Sequence, residues 1–321
     1  MPWLKNTDRP RGLAQVRAYL GAVLQWRGDY TRAEVQLQQG LLLAREAHIG
    51  SELGLNLFFL GHTKLSAGDY EGALRCYNEL TAYAADAADK FYLARAPNCL
   101  GGIYLELYDL QRAVEANLQG EQDAHRLALY PEPRAHSLVK LGLAWLERDD
   151  HGRANRAFLQ ATELLDVDEW ARWRWATALP RGQGELALAE GRLDDASRFA
   201  VEALAIGLES NSRKHIARAK RLQGEIHAAA KSHDEARAKL REAIDLAVAI
   251  GTPREEWLSR AALAKLLLAH GNDADAEAEL IRAANIVEFV AGRIQTAGLR
   301  ESFLNSRPVS GIFTVLKRRP Q

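Results

Sequence analysis

Leu20-Gly21 is followed by Gly28-Asp29-Tyr30 and then by Ala33, and this spacing returns along the chain. Each later copy again places a small residue, Gly or Ala, twelve residues before an Ala. The copies end at Ala33, Ala73, Ala113, Ala154, Ala196, Ala236 and Ala276. The intervals between these alanines are 40, 40, 41, 42, 40 and 40 residues. A period of this size indicates a stack of seven helical units, a solenoid.

The small residues have a physical role in this pattern. Gly21 and Ala33 remove side chains where two helices of one unit cross, which allows the helices to approach closely. Larger residues such as Leu20 and Leu24 are expected to fill the space around the crossing. Gly28-Asp29 lies between the two helices, where a residue that tolerates a left-handed backbone ends one helix and starts the next.

The composition is typical of a helical protein with an extended core. The chain has 321 residues, 47% of them apolar and 26% charged, with a formal net charge of +0. It has no apolar run of about 18 residues, and charges and prolines occupy Met1 to Gly12 where a signal peptide would be apolar. Cys76 and Cys99 are predicted to be buried thiols rather than a disulfide or metal site. These features favour a cytoplasmic protein that does not bind membranes.

The repeat resembles the tetratricopeptide (TPR) family, whose unit is about 34 residues long. The resemblance implies an all-α, right-handed α-solenoid of seven TPR-like helical hairpins of about 40 residues each, closed by a C-terminal capping helix. The extra residues are assigned to longer helices, because the joints contain too little Gly and Pro for long loops. We expect a lead-in over residues 1–13, repeats over 14–293, and a capping helix and tail over 294–321. No polar cap precedes the first repeat, so the chain is expected to be a piece of a longer protein.

Two local expectations follow from individual residues. Thr252 and Glu255 have the spacing of a capping box, in which each side chain binds the backbone of the other residue. Pro180 falls inside the predicted first helix of the fifth repeat, where it should kink or break the helix. Trp170 and Trp173 precede it, either filling the wedge that the kink opens or facing a ligand.

The fifth and sixth repeats carry a basic stripe. Lys214, Arg218 and Arg221 share one helix face with Glu225, and subtracting the repeat interval gives Arg174, Arg181 and Glu185. In the TPR family these positions line the concave groove, so the resemblance implies a basic groove there. The alternative is a solvated charged face whose cations are paired with Glu185 and Glu225. The predicted partner-binding residues are Arg174, Arg181, Lys214, Arg218 and Arg221, with Trp170 and Trp173 beside them.

Several stretches resemble the C-terminal TPR regions of bacterial multidomain signalling proteins, which place a cyclase, kinase or DNA-binding module and a STAND-type or AAA-like ATPase before the repeats. These stretches are Trp170-Ala171-Arg172-Trp173-Arg174, Gly184-Glu185-Leu186-Ala187, Ser212-Arg213-Lys214 and Leu299-Arg300-Glu301-Ser302-Phe303-Leu304. The sequence has no Gly-x-x-x-x-Gly-Lys-Ser/Thr loop and no cyclase-like stretch, so neither activity is carried over.

The sequence favours an interaction module over an enzyme. No His, Cys or carboxylate pattern matches a metal site or a nucleophile, so no catalytic residue, metal or cofactor is predicted. We expect a sensor or scaffold that binds a peptide or partner domain, including other domains of the same parent protein, in the concave groove. The alternative is a domain that senses a small anionic ligand or nucleic acid through the basic stripe. The zero net charge argues against nucleic acid as the general partner.

Overall fold

The computed structural model describes residues 8–128, 131–166 and 177–317, and this part of the chain contains sixteen α-helices and no strand. The first eight helices are α1 (Asp8–Trp26), α2 (Tyr30–Glu46), α3 (Gly50–Ser66), α4 (Tyr70–Asp86), α5 (Lys90–Glu106), α6 (Leu110–Arg126), α7 (Pro131–Glu147) and α8 (His151–Asp166). The other eight are α9 (Ala178–Ala189), α10 (Leu193–Glu209), α11 (Arg213–Ala229), α12 (His233–Ile250), α13 (Pro253–Leu268), α14 (Asp273–Ala291), α15 (Ala297–Asn305) and α16 (Arg307–Val315).

Helices α1 to α14 pack as the seven predicted hairpins, and the role of the small residues is confirmed. A Cβ atom added to Gly21 would overlap Leu37, and one added to Gly61 would overlap Tyr77. The repeated alanines, including Ala33, have no exposed surface. Helices such as α2 and α3 are 17 residues long and are joined by three-residue connections. The long repeat period therefore comes from long helices, as the sequence predicted.

The turn inside each hairpin contains one residue with a left-handed backbone. Glycine supplies it in four repeats, for example Gly28 and Gly68, both with φ of 77°. Tyr108 takes this conformation in the third repeat with φ of 58°, and Asp149 and Lys231 do so in two others. An aspartate such as Asp29 follows several of these residues and accepts a hydrogen bond from the first turn of the next helix.

Several local expectations are corrected. Thr252 makes no side-chain cap hydrogen bond, and the side chain of Glu255 turns toward Arg218 rather than toward the backbone of Thr252. Pro180 is the third residue of α9, where a backbone N–H has no helical acceptor, so α9 accommodates it, and the segment before Thr177, where the predicted break would fall, lies outside the described residues. Leu20 is 44% exposed rather than buried, because none of the hairpins in the described ranges packs on the outer face of α1.

Both predicted end segments contain more helix than expected. Helix α1 already begins at Asp8, inside the expected lead-in. The capping helix appears as α15, in which Leu299 and Phe303 are buried. Part of the expected tail forms α16, because Val309, Ile312 and Phe313 give it an apolar face that is buried on the solenoid end.

The seven hairpins curve until the last repeats contact the first ones. The side chain of Ile250 lies against Gly28, and that of Pro253 lies against Gly68. The backbone N–H groups of Gln295 and Thr296 both donate to Glu71 at 2.8 Å. One apolar core runs through helices at both ends of the solenoid. The array is thus closed on itself and surrounds an inner cavity.

We expect Gly61→Ala to destabilise the protein by about 1–3 kcal/mol, because the new methyl group must displace the buried ring of Tyr77. Gly12→Ala is the matched control, since nothing lies within 4 Å of its added Cβ and alanine favours the helix. Denaturant unfolding monitored by circular dichroism measures both. Equal midpoints for Gly61→Ala and the unmodified chain would show that the crossing tolerates a side chain.

Candidate functional site

The inner cavity has a volume of about 1220 Å³ and is lined mainly by the first helix of each hairpin. Apolar side chains cover part of its wall, among them Phe59, Leu143 and Trp257. Charged and neutral polar side chains cover the rest, so the cavity offers both apolar and polar contacts to a ligand. Its outer rim includes Arg307 at the start of α16, which pairs with Asp149 at 3.5 Å.

The structure brings four residues of the predicted stripe together on this wall. Arg181 projects from α9, and Lys214, Arg218 and Arg221 project from α11. The concave placement implied by the TPR resemblance is therefore correct for these four, while their use in binding stays a prediction. Trp170, Trp173 and Arg174 fall within residues 167–176, outside the described residues.

The cations of the stripe are paired and largely buried rather than exposed. Arg181 donates to Glu185 at 2.6 Å, and Arg221 donates to Glu225 at 2.8 Å and to Glu185 at 3.5 Å. The side chain of Arg181 is only 10% exposed and that of Arg221 only 12%. The alternative arrangement, in which the cations of the stripe pair with Glu185 and Glu225, is therefore observed. The face that carries these pairs is buried rather than solvated.

A second ionic cluster joins repeats that are far apart in sequence. Arg218 donates to Glu255 of the seventh repeat at 2.6 Å and to Glu106 of the third repeat at 2.9 Å. Lys214 also lies 3.5 Å from Glu106. Arg254 donates to the backbone carbonyl of Glu106 at 3.0 Å and lies over the ring of Tyr108. This cluster closes the cavity on the side where the solenoid ends meet.

The cations of this cluster keep its carboxylates ionised. Burial alone would raise the pKa of Glu255, but the charges of Arg218 and Lys214 outweigh burial and hold this pKa well below its ordinary value. The pKa of Glu106 is lowered in the same way, with burial opposed chiefly by Lys214 and Arg218. Both carboxylates therefore act as fixed anions of the cavity wall near neutral pH.

The wall as a whole carries nearly balanced charge. Among the described lining residues, eight are Lys or Arg and six are Asp or Glu. The cations are Lys140, Arg181, Lys214, Arg218, Arg221, Arg254, Lys265 and Arg307, and the anions are Glu106, Glu147, Asp149, Glu185, Glu225 and Glu255. The wall therefore keeps a small excess of cations, but carboxylates that the stripe analysis did not include, such as Glu106 and Glu255, come from other repeats and reduce this excess.

Some of these residues could have been found in the sequence. Arg254 lies 40 residues after Lys214 and Lys265 lies 40 residues after Glu225, so extending the repeat interval by one copy identifies both. Glu106 has no such signal, because its position opposite Arg218 depends on how far the solenoid curves. Lys140 is one position away from the residue that the repeat interval predicts for the stripe in the fourth repeat, so the interval does not identify it either.

The described residues contain neither a metal-binding cluster nor a membrane-spanning helix. No group of three or more His, Cys, Asp or Glu side chains there is arranged to hold a metal ion. None of the helices described is both long enough and apolar enough to cross a membrane. Cys76 and Cys99 are separate, buried free thiols.

Comparison with known proteins identifies the fold through structure alone. No family model matches the sequence, and no curated protein matches it either. A Rap protein complexed with Competence and Sporulation Factor aligns over 95% of this chain and 98% of that chain, with a TM-score of 0.58 and 13% identity. A Signal Transduction ATPase with Numerous Domains (STAND) protein with a tetratricopeptide repeat sensor, from Pyrococcus horikoshii, aligns over 91% of this chain and 46% of that chain, with a TM-score of 0.55 and 14% identity.

Aspartyl phosphate phosphatase F from Bacillus subtilis aligns over 99% of this chain and 95% of that chain, with a TM-score of 0.50 and 12% identity. The structural similarity establishes the architecture, and sequence identities this low leave the function open. The chain has the fold of an all-α tetratricopeptide-repeat solenoid.

We expect Arg218→Ala to lower the free energy of unfolding by about 3–5 kcal/mol, because it removes the nearest cation from the buried carboxylates of Glu106 and Glu255. Arg32→Ala is the control, since Arg32 is 75% exposed and its pair with Asp29 should contribute at most about 1 kcal/mol. Denaturant unfolding of both variants tests this. Similar small losses would mean that the closure does not depend on the Arg218 ion pairs.

The ion pairs also predict how stability depends on pH. The pKa of Glu255 is lower in the folded chain than in the unfolded chain, so its contribution is fully present above the ordinary value of 4.5 and is lost as pH falls below that value. Glu255→Gln cannot titrate. The difference in unfolding free energy between the unmodified chain and this variant should therefore shrink from pH 7 to pH 3, and a constant difference would contradict the prediction.

Proposed function

We propose that this chain is an interaction or sensor module that binds an extended peptide or a segment of a partner protein in its inner cavity. The observation that carries this proposal is the cavity itself, about 1220 Å³ in volume and lined by side chains from most of the repeats. Cavities for small molecules are usually about 300–1,000 Å³. Repeat solenoids present extended concave surfaces of the kind that suits a chain segment.

The pairing of cations with carboxylates on the wall supports a peptide over a polyanion. Arg181 and Arg221 are held by Glu185 and Glu225, so each can offer only its remaining donors to a ligand without breaking a buried pair. Nucleic acid binding draws its affinity from many cations that are free to neutralise phosphates. A peptide instead presents both apolar and charged groups, and this wall has side chains of both kinds.

The structural neighbours support the same proposal. One neighbour is a Rap protein in complex with Competence and Sporulation Factor, and another contains the repeat as a sensor within a STAND protein. We include in the proposal that the chain is a non-enzymatic, cytoplasmic module of a larger bacterial signalling protein. Its partner would then be either another domain of that protein or a separate polypeptide.

A variant that fills the cavity tests the proposal. Ala261 in the seventh repeat holds the place that Arg221 holds in the sixth, 40 residues earlier, so a longer side chain there projects into the cavity. Peptides selected from a random display library on the unmodified chain should bind Ala261→Trp at least tenfold more weakly, a loss of about 1.4 kcal/mol. Isothermal titration calorimetry measures the affinities.

Ala205→Trp is the matched control, because Ala205 is exposed on α10 and does not line the cavity. It should bind the selected peptides as the unmodified chain does, and both variants should keep their helical circular dichroism. If no peptide is enriched, or if Ala261→Trp binds the selected peptides unchanged, the cavity is not a peptide site.

A further inference from the structure

The outer face of helix α1 exposes a cluster of large apolar side chains. Sixteen large apolar side chains are exposed among the described residues, and five of them lie on this one helix. They are Leu13, Val16, Tyr19, Leu20 and Val23, with exposed fractions between 44% and 63%. Apolar side chains scattered singly over a surface need no explanation, whereas a contiguous patch of them marks a contact surface.

Four of these residues form an apolar stripe along the helix. Leu13, Val16, Leu20 and Val23 are three, four and three residues apart, so they share one face. The opposite face, which includes Ala18, is buried against the first two repeats. Within the described part of the chain, therefore, no helix packs over the apolar stripe.

The spacing of the apolar stripe is that of a coiled-coil seam, in which residues three and four apart meet apolar residues of a second helix. A second copy of α1 that runs antiparallel, with the two copies level at residue 18, places Leu13 opposite Val23 of the second copy. The same arrangement places Val16 opposite Leu20 of the second copy. Every residue of the stripe then meets an apolar residue, so the stripe is complementary to itself about a two-fold axis.

The charged residues near the apolar stripe do not enter it. Arg17 borders the stripe, and its guanidinium group donates to the side chain of Gln36 at 2.7 Å and to that of Gln39. Arg9 and Arg27 are exposed beyond the two ends of the stripe. In the antiparallel pair Arg9 would face Arg27 of the second copy, and this repulsion at the ends is screened by salt.

The apolar stripe is separate from the inner cavity. Among the described residues of α1, Gln25 and Trp26 line the cavity, and neither of them belongs to the stripe. A contact made through the stripe therefore leaves the cavity open.

We propose that the apolar stripe of α1 joins two copies of this chain into an antiparallel, two-fold symmetric dimer. The order of the side chains favours a second copy as the occupant, because the same four positions supply both sides of the contact. The interface consists mainly of one pair of helices, so it is small, and the dimer should be weak and reversible. This inference is independent of the proposed peptide binding.

Two charge variants test both the dimer and its register, by sedimentation velocity at increasing chain concentrations. Val16→Lys alone and Leu20→Glu alone should each weaken the dimer at least about a hundredfold, because each places two charges against apolar side chains. Equal amounts of the two variants should form a dimer again. In the mixed pair the introduced lysine faces the introduced glutamate, and the unmodified Leu20 faces the unmodified Val16.

Mixing also distinguishes the two possible directions of the paired helices. In a parallel pair the introduced lysine would face Val16 and the introduced glutamate would face Leu20, so mixing would restore nothing. A mixture that stays monomeric would therefore overturn the antiparallel register. An unmodified chain that stays monomeric at every concentration, or a dimer that neither variant weakens, would overturn the proposal as a whole.

Val201→Lys and Leu208→Glu are the matched controls, because Val201 and Leu208 on α10 are 60% and 59% exposed. They should leave the dimer unchanged. All four variants should keep the helical circular dichroism of the unmodified chain, since each substituted side chain is exposed. Equal losses of the dimer in the α1 and α10 variants would contradict an interface at the apolar stripe.

Salt and lipid vesicles separate a second copy from the other occupants that an apolar stripe between arginines could accept. The dimer should become tighter as salt rises, because screening weakens the repulsion between Arg9 and Arg27. An acidic partner or an anionic lipid surface would instead be held less tightly as salt rises. Flotation of the chain with phosphatidylserine vesicles, lost in Leu20→Glu, would assign the stripe to a membrane surface and overturn the proposal.

The dimer and the peptide site can fail separately. Ala261→Trp should form the dimer as the unmodified chain does, and Leu20→Glu should bind the selected peptides with unchanged affinity. Peptide binding that is lost in a folded Leu20→Glu variant would contradict the separation of the stripe from the cavity.

Discussion

The ion pairs that Arg218 forms with Glu106 and Glu255 hold the third repeat against the sixth and seventh. A curved array of hairpins could end without touching itself, and its concave face would then be an open groove. Here the ion pairs connect the two parts of the array. Apolar contacts of Ile250 with Gly28 and of Pro253 with Gly68 hold the same parts together. The cavity, its burial and the lowered carboxylate pKa values all follow from this contact between distant repeats.

The buried ion pairs of the cavity wall fix the positions of charged side chains more than they stabilise the folded chain. Taking Arg181 and Glu185 out of water costs free energy that their mutual attraction only partly returns. What the pairs supply is a fixed arrangement of donors and acceptors before any ligand arrives. Binding to such a wall requires little ordering of side chains, so less of the interaction energy is lost.

The sequence predicted those parts of the structure that depend on local spacing. The Gly and Ala positions gave the seven hairpins, because each hairpin needs small residues where its helices cross. Adding the repeat interval to Lys214 also leads to Arg254. The sequence could not show that the side chain of Glu255 pairs with Arg218 instead of capping the helix at Thr252, since this pairing depends on a residue from another repeat. Glu106 was missed for the same reason, and α16 was missed because its apolar face has no repeat partner to reveal it.

The closure also changes how the chain can fold. In an open solenoid each repeat contacts only its neighbours, and folding can spread from any point along the array. Arg254 and Glu106 are 148 residues apart in sequence, so their contact closes a very long loop of chain. Contacts of this separation slow folding, because the entropy of loop closure must be lost before the contact forms. Removing a repeat from either end would therefore disturb the middle of the protein, and the seven hairpins behave as one cooperative unit rather than as a series of independent ones.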